Sequence, residues 1–204
     1  MNRPLALIPF LVLILAVATG LLWHFGDVRS EKGIVSVPTG ETVTIGGPFS
    51  LIDQNGMRRS EKDFSGKYML VFFGYTFCPD VCPTTLSVMS AALDKVGPDA
   101  TKIVPVFISV DPKRDTPEKL KAYLASFGPN FVGLTGTDEE VAAAAKAYRV
   151  YYQAHTEEGD NYAVDHSGVV YLMSPTGQFL SNYTLETSPE SMAVDLKKRI
   201  LTAR

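Results

Sequence analysis

Cysteine and histidine are scarce in this chain, whose 204 residues include two cysteines and three histidines. Two cysteines are too few for an iron–sulfur cluster, and a structural zinc site usually requires four protein ligands. Long runs of one charge are also missing, since 19 basic and 22 acidic residues are spread along the sequence. That balance is typical of a solvated surface, and we expect no nucleic-acid partner.

One long apolar segment is present, at the N-terminus. Residues 5–25 carry no formal charge apart from the mostly neutral His24, and about 20 apolar residues span a bilayer as a helix. A signal peptide is the alternative, because Ala16, Val17 and Ala18 fit a small-x-small cleavage site. The apolar segment continues beyond that site, which favours an uncleaved membrane anchor over residues 1–26.

The flanks of this segment predict its orientation. Arg3 and the terminal amine precede it, whereas balanced charges follow it, so the positive-inside rule places the N-terminus in the cytoplasm. A mitochondrial presequence would be richer in arginine and serine. We therefore predict a single-pass protein of the bacterial inner membrane with a soluble domain in the periplasm. Residues 27–47 have the composition of a tether, and residues 48–204 are long enough for one domain.

Strand and helix patterns alternate through that domain. A hairpin is predicted around Asn55-Gly56, a pair that suits a type I′ turn. Apolar runs at 68–75 and 102–111 are typical of strands buried on both faces. The alternation indicates an α/β fold with a mainly parallel sheet and an antiparallel edge. Because the cysteines follow an early central strand and precede its helix, we predict a thioredoxin-like fold with an N-terminal β-hairpin.

Three helix starts can be predicted from capping residues. Thr116 followed by a proline, and Thr137 with Glu140 three positions later, are typical N-terminal signals. Pro83 suits the first position of the helix that follows the cysteines, which would place Cys82 at its N-cap. At that position the helix dipole would favour a thiolate.

Cys78 and Cys82, the only cysteines, stand in FFGYTFCPDVCPTTL at residues 72–86. A structural disulfide across so short a loop would contribute only about 2 kcal/mol. A redox pair is a second possibility, although three residues separate the cysteines instead of the two of thioredoxin. The third possibility is a metal site, because two thiolates suit a soft ion such as copper(I), which two or three ligands can coordinate.

A metal site would gain from a third ligand, for which the histidines are the candidates. His24 lies at the membrane boundary, and His155 stands beside acidic residues as a surface histidine would. His166 precedes a buried strand, at the position that faces the cysteine loop in thioredoxin folds. It is either a ligand or a histidine hydrogen-bonded beneath that loop.

Three segments together resemble one known family. GYTFCPDVCPTTL, SVDPKRDTPEKL and DHSGVVYLM, in this order and at these intervals, are similar to the Sco/SenC family of copper chaperones. The resemblance covers roughly residues 48–200 and includes the single N-terminal anchor. It implies a thioredoxin-like fold in which Cys78, Cys82 and His166 bind copper. Asp111, in the second segment, is expected to have a supporting role that the sequence does not define. Much of the same segment is explained by residues 115–117, which have the pattern of a helix start.

The resemblance also implies partners and a reaction. Family members deliver copper to the dinuclear copper centre of cytochrome c oxidase subunit II, or prepare the thiols of that centre, and the mechanism expected here is exchange of thiolate ligands. Other copper chaperones or thioredoxin-like reductants are further expected partners. The alternatives are a thiol-disulfide oxidoreductase, with Cys78 and Cys82 as its catalytic pair, or a sensor of copper or redox state.

A peroxidase is a more distant alternative, because the cysteine segment is faintly similar to a peroxiredoxin site. That site would have a threonine three residues before its reactive cysteine. Pro79 stands there before Cys82, and Tyr75 before Cys78.

Overall fold

The structure, a computed structural model, describes residues 44–159 and 161–202. The strands of this part of the chain are β1 (Ser50–Asp53), β2 (Arg58–Ser60), β3 (Tyr68–Gly74), β4 (Ile103–Ser109), β5 (Val132–Thr135), β6 (Tyr152–Ala154), β7 (Val164–His166), β8 (Val170–Met173) and β9 (Phe179–Tyr183). Its α-helices are α1 (Val81–Val96), α2 (Pro117–Leu124), α3 (Asp138–Tyr148) and α4 (Pro189–Thr202).

Seven strands form one sheet in the order β2-β1-β5-β4-β3-β8-β9, and β6 and β7 form a separate hairpin. Only β3, β4 and β5 run parallel, and the other neighbours are antiparallel. The expectation of a mainly parallel sheet is therefore wrong. Parallel neighbours need a long crossover, which α1 and α2 provide, whereas β8 follows the β6–β7 hairpin and β9 follows a tight turn.

The hydrophobic core lies around β3 and β4. All seven residues of β3 are buried, and Leu70, Val71, Phe72 and Phe73 are fully inaccessible to solvent. Six of the seven residues of β4 are buried as well. The continuous apolar runs thus mark central strands, as predicted. Their carboxyl ends lie side by side, because Gly74 pairs with Ser109.

The N-terminal hairpin forms as predicted, with β1 antiparallel to β2, but its turn is not type I′. That turn needs positive φ at both central residues, and the only described non-glycine residue with positive φ is Arg149. Gly56, at φ 78°, takes the left-handed position alone. The buried Asp53 carboxylate accepts hydrogen bonds from the backbone N–H groups of Asn55 and Met57, which stabilises this alternative turn.

Two of the three predicted helix starts are confirmed. Thr116 caps α2 by accepting a hydrogen bond from the Lys119 backbone. Thr137 and Glu140 form the reciprocal capping box of α3. These caps satisfy N–H groups that have no partner within a helix, which is why the local sequence predicts them.

The predicted anchor at 1–26 and most of the tether at 27–47 lie outside the described residues. Among the helices described, none is both long and apolar enough to cross a membrane. Residues 44–47 precede β1, and the Gly46 N–H donates to the Ala147 carbonyl at 2.9 Å. The boundaries at 26 and 47 remain predictions.

Candidate metal centre

The cysteine loop, defined as residues 75–80, leads from β3 into α1. The helix begins at Val81 with Asp80 as its N-cap, so the prediction of Cys82 at the N-cap is wrong. Cys82 is instead the second helical residue and Pro83 the third. Proline is tolerated there because the first N–H groups of a helix have no partner within it.

A buried carboxylate fixes the start of this loop. Asp115, fully inaccessible, accepts hydrogen bonds from the Thr76 backbone N–H at 3.0 Å and from the Thr76 hydroxyl at 2.5 Å. The Ser109 hydroxyl also donates to it, at 2.6 Å. A helix-entry role thus explains Thr116 but not Asp115, which holds the cysteine loop against the end of β4.

His166 is the last residue of β7 and is half-buried. Its imidazole lies edge-on to the rings of Phe72 and Tyr75, with centroids 5.9 and 5.8 Å away. Those rings belong to β3 and the start of the cysteine loop. The His166 ring is therefore directed towards the cysteines and is not turned away to solvent.

The three predicted ligands converge. Cys78 Sγ, Cys82 Sγ and one ring nitrogen of His166 all lie within 4.8 Å of one another. Cys82 Sγ is 3.3 Å from His166 Nε2, and the Cys82 backbone N–H donates to Cys78 Sγ at 3.4 Å. Both cysteines are free thiols. This spacing lets one ion contact two sulfurs and one nitrogen.

The contacts of His166 favour one tautomer of its ring. Nδ1 lies 3.3 Å from the Ser167 carbonyl oxygen. Because a carbonyl can only accept, Nδ1 carries the proton and Nε2 presents its lone pair towards the sulfurs. A hydrogen bond from the non-ligating nitrogen is the usual way in which proteins orient a metal-binding histidine.

Burial controls the charge of both groups. It raises the pKa of the Cys82 thiol, and the neighbouring Cys78 raises that pKa further. Desolvation outweighs the hydrogen bond with the Tyr75 backbone, which lowers the pKa of Cys82, so the expected low-pKa thiolate is not found at this residue. Burial also lowers the pKa of His166, although the Ser167 carbonyl opposes this shift. The metal-free site thus holds a protonated Cys82 and a neutral imidazole, and a metal must displace the thiol proton.

A cluster of three interacting side chains beside the candidate metal centre was not predicted from the sequence. Asp111, buried after β4, pairs with Arg114 and accepts a hydrogen bond from the Tyr162 hydroxyl at 2.5 Å. The sequence suggested a supporting role for Asp111 but gave no partner. Tyr162 lies 51 residues further along the chain, and its local sequence carries no motif.

His155 lies on the surface, as predicted. Its ring contacts the exposed carboxylates of Glu157 at 3.4 Å and Asp165 at 2.9 Å. The Asp165 contact raises the pKa of His155, with a smaller effect of the same sign from Glu157. Within the described part of the chain, the group of residues able to hold a metal includes His166 and not His155.

Comparison with known proteins identifies the family. A family model described as SCO1/SenC matches residues 37–201. The chain belongs to the SCO1/SenC family. The resemblance seen in the three sequence segments is thereby confirmed.

Individual relatives support the same assignment. The mitochondrial SCO1 homolog 1 of Arabidopsis thaliana is 40% identical over 199 residues, which cover 92% of this chain and 59% of that protein. The chain thus spans little more than half of that curated relative. The structure of Bradyrhizobium japonicum ScoI with copper bound has a TM-score of 0.71 at 48% identity, covering 76% of this chain and 98% of that one.

A more distant solved structure agrees. BsSco, described as a member of the Sco family of cytochrome c oxidase assembly proteins with a disulfide switch, has a TM-score of 0.64 at 26% identity. The match covers 80% of this chain and 98% of BsSco. These neighbours confirm the thioredoxin-like α/β Sco fold of the domain.

Proposed function

We propose that this chain is a copper metallochaperone in which Cys78, Cys82 and His166 bind one copper(I) ion. The observation that carries the proposal is the convergence of two thiols and one imidazole nitrogen within 4.8 Å. Soft sulfur donors select copper(I), and three ligands leave that ion open to a further one. Copper-bound relatives agree with copper as the metal.

The same site supports a mechanism of release. An incoming thiolate of the target can attack the three-coordinate copper, because a coordination position is open. Each displaced thiolate of the chaperone then takes up a proton again. Because burial raises the pKa of Cys82, the metal-free state favours the thiol at this position. Protonation of Cys82 therefore favours release to a target whose thiolates are better solvated.

The target that fits this chemistry is a dithiol copper site. Sco proteins act in cytochrome c oxidase assembly, and we propose subunit II, with its dinuclear copper centre, as the acceptor. The apolar segment at 5–25 and its flanking charges support a single-pass anchor in a bacterial inner membrane, with the copper-binding domain in the periplasm. Other copper chaperones or thioredoxin-like reductants would load or reduce the site.

A thiol-disulfide reductase is the second candidate, because the two sulfurs are close enough for exchange with a target disulfide. In that reaction Cys78 and Cys82 would form a disulfide, and their two electrons and two protons would pass to the target's cysteines. The disulfide switch described for BsSco favours keeping this candidate. Oxidation would also prevent copper binding, because a disulfide has no thiolate to offer.

His166→Ala separates the two functions. The variant removes one of three ligands but neither thiol, so copper(I) affinity should fall by roughly 100-fold or more, while dithiol redox cycling remains. His155→Ala is the matched control, because that histidine lies outside the converging group. If cells with the His166→Ala chain assemble a fully active oxidase, the metallochaperone proposal fails and the reductase hypothesis is favoured.

A further inference from the structure

The hairpin that carries His166 is not part of the main sheet. In the described residues, β6 and β7 pair only with each other, whereas the cysteine loop follows β3 of the seven-stranded sheet. Backbone pairing of the hairpin with the main sheet therefore does not set the distance between imidazole and sulfurs. The short link from His166 to Val170 of β8, which pairs with Phe72, and side-chain contacts of the hairpin together set it. Tyr75 makes one of these contacts, because its side chain touches the His166 ring and hydrogen-bonds with the Val164 backbone of β7.

Tyr162 makes another of these contacts. It precedes β7, is 7% exposed, and donates its hydroxyl to Asp111 at 2.5 Å. Arg114 lies over the face of the same ring, with its guanidinium carbon 3.6 Å from the centroid, and pairs with Asp111. These three residues, here called the clamp, join the hairpin to the segment between β4 and α2.

The clamp also reaches the cysteine loop. The Arg114 guanidinium lies 4.9 Å from the ring centroid of Phe77, the residue before Cys78, and 5.7 Å from that of Tyr75. One guanidinium thus contacts aromatic rings on both sides of the metal centre. Arg114 is suited to this role, because its planar group stacks on rings while it pairs with a carboxylate.

We propose that Tyr162 is a positioning residue for the third copper ligand, acting through the clamp to keep His166 Nε2 within reach of the two sulfurs. The inference rests on the ligand role proposed for His166. Tyr162 lies two residues before β7, the three-residue strand that ends at His166, so we expect loss of the Tyr162 anchor to move the imidazole. Tyr162 is not one of the three converging groups.

Tyr162→Phe in the full-length chain tests this. It keeps the ring beneath Arg114 and removes only the hydroxyl. Supporting contacts of metal ligands typically contribute about 10- to 100-fold in affinity, and we expect copper(I) to bind about tenfold more weakly. Asp111→Asn, which removes the charge that pairs with Arg114, should act in the same direction if Tyr162→Phe folds poorly.

Tyr183→Phe is a matched control. The Tyr183 hydroxyl donates to Asp195 at 2.8 Å, and Arg199 pairs with the same carboxylate, so the variant loses a part-buried hydrogen bond from a tyrosine to an arginine-paired carboxylate. That bond joins β9 to α4 and not the hairpin to the cysteine loop. The midpoint temperature of thermal unfolding should fall by a similar amount in both variants. Copper(I) affinity should fall only in Tyr162→Phe.

A double-mutant cycle distinguishes positioning from general destabilisation. If Tyr162 acts through His166, adding Tyr162→Phe to His166→Ala should produce no further loss of copper affinity. Equal losses in both backgrounds would refute the proposal. If His166→Ala weakens copper(I) binding but Tyr162→Phe does not, the positioning role of Tyr162 is refuted and the ligand role of His166 stands. If His166→Ala itself has no effect, the proposed function fails first.

A metal-free readout completes the test. The His166 ring lies edge-on to Phe72 and Tyr75, so its proton chemical shifts report its position. In the reduced protein without copper, Tyr162→Phe should shift or broaden the His166 ring signals, and Tyr183→Phe should not. Unchanged His166 signals in Tyr162→Phe would contradict the positioning role.

Discussion

Gly74 is the point at which a single methyl group would reach the candidate metal centre. This last residue of β3 has no side chain, and a Cβ placed there would lie 2.7 Å from Cys82 Sγ and 2.9 Å from a ring carbon of Phe107. Ordinary contact begins near 3.4 Å. In Gly74→Ala the sulfur must therefore move by about 0.7 Å, or the strand must move instead.

The site offers little room for that movement. Cys82 and Phe107 are both fully inaccessible, and overpacking of a dense core typically costs about 1–3 kcal/mol. We expect the free energy of unfolding of Gly74→Ala to fall by about 2 kcal/mol. Copper(I) affinity should fall roughly 10- to 100-fold, because one of the three proposed ligand atoms is displaced relative to the other two.

The assays are chemical denaturation and copper(I) titration of the reduced protein in competition with a chelator of known affinity. Gly133→Ala is the matched control, because a Cβ there would lie 2.5 Å from Leu124 Cδ1 and contact Leu120. It adds a similar clash to β5 without touching a cysteine. Gly74→Ala should therefore differ from Gly133→Ala in copper binding and resemble it in stability.

Two results would refute this reasoning. Wild-type copper affinity in a folded Gly74→Ala protein would show that the sulfur position at Cys82 does not matter for binding. An equal loss of affinity in Gly133→Ala would show that general destabilisation, and not displacement of the ligand, weakens the site.

Further predictions concern histidine titration and helix capping. In an NMR pH titration of the metal-free protein, His155 should titrate above 6.5 and His166 below it, because Asp165 raises the first pKa and burial lowers the second; titration of both at one pH would contradict the electrostatics. Because the pKa of His166 is lower in the folded state, the folded chain binds fewer protons there than the unfolded chain. The free energy of unfolding therefore keeps its full value above pH 6.5 and decreases as the pH drops below 6.5. Denaturation at several pH values should show that wild type loses more stability on acidification than His166→Ala, and identical profiles would be evidence against a depressed pKa. Thr137→Ala should lower the free energy of unfolding by about 1 kcal/mol without changing copper affinity, and a change in copper binding would link this distant cap to the site.

The sequence predicted those parts of the fold that depend on local pattern. The apolar runs located β3 and β4, and the threonines at 116 and 137 located two helix starts. Each of these signals lies within a few residues of the feature that it predicts. The antiparallel β8–β9 edge was predicted as well. The antiparallel pairing of β8 with β3 and of β1 with β5 was missed, because strand direction depends on which distant segments pair.

The candidate site was predictable in its ligands but not in its surroundings. The spacing of Cys78 and Cys82 and the context of His166 made these residues candidates, and the resemblance to the Sco/SenC family implied that all three are ligands. The structure brings the three groups together. The pKa of Cys82 was misjudged, because the helix dipole can be inferred from sequence whereas full burial cannot. Asp115 and Tyr162 were missed for a related reason, since their partners lie 39 and 51 residues away.

The central claim is that two sulfurs and one imidazole nitrogen bind a single copper(I) ion. The most direct test is X-ray absorption spectroscopy of the reduced chain after titration with copper(I) to its stoichiometric end point. We predict one copper per chain, with two sulfur neighbours and one nitrogen neighbour, and loss of the nitrogen in His166→Ala. A shell made of sulfur alone, or a nitrogen that persists in His166→Ala, would contradict the account.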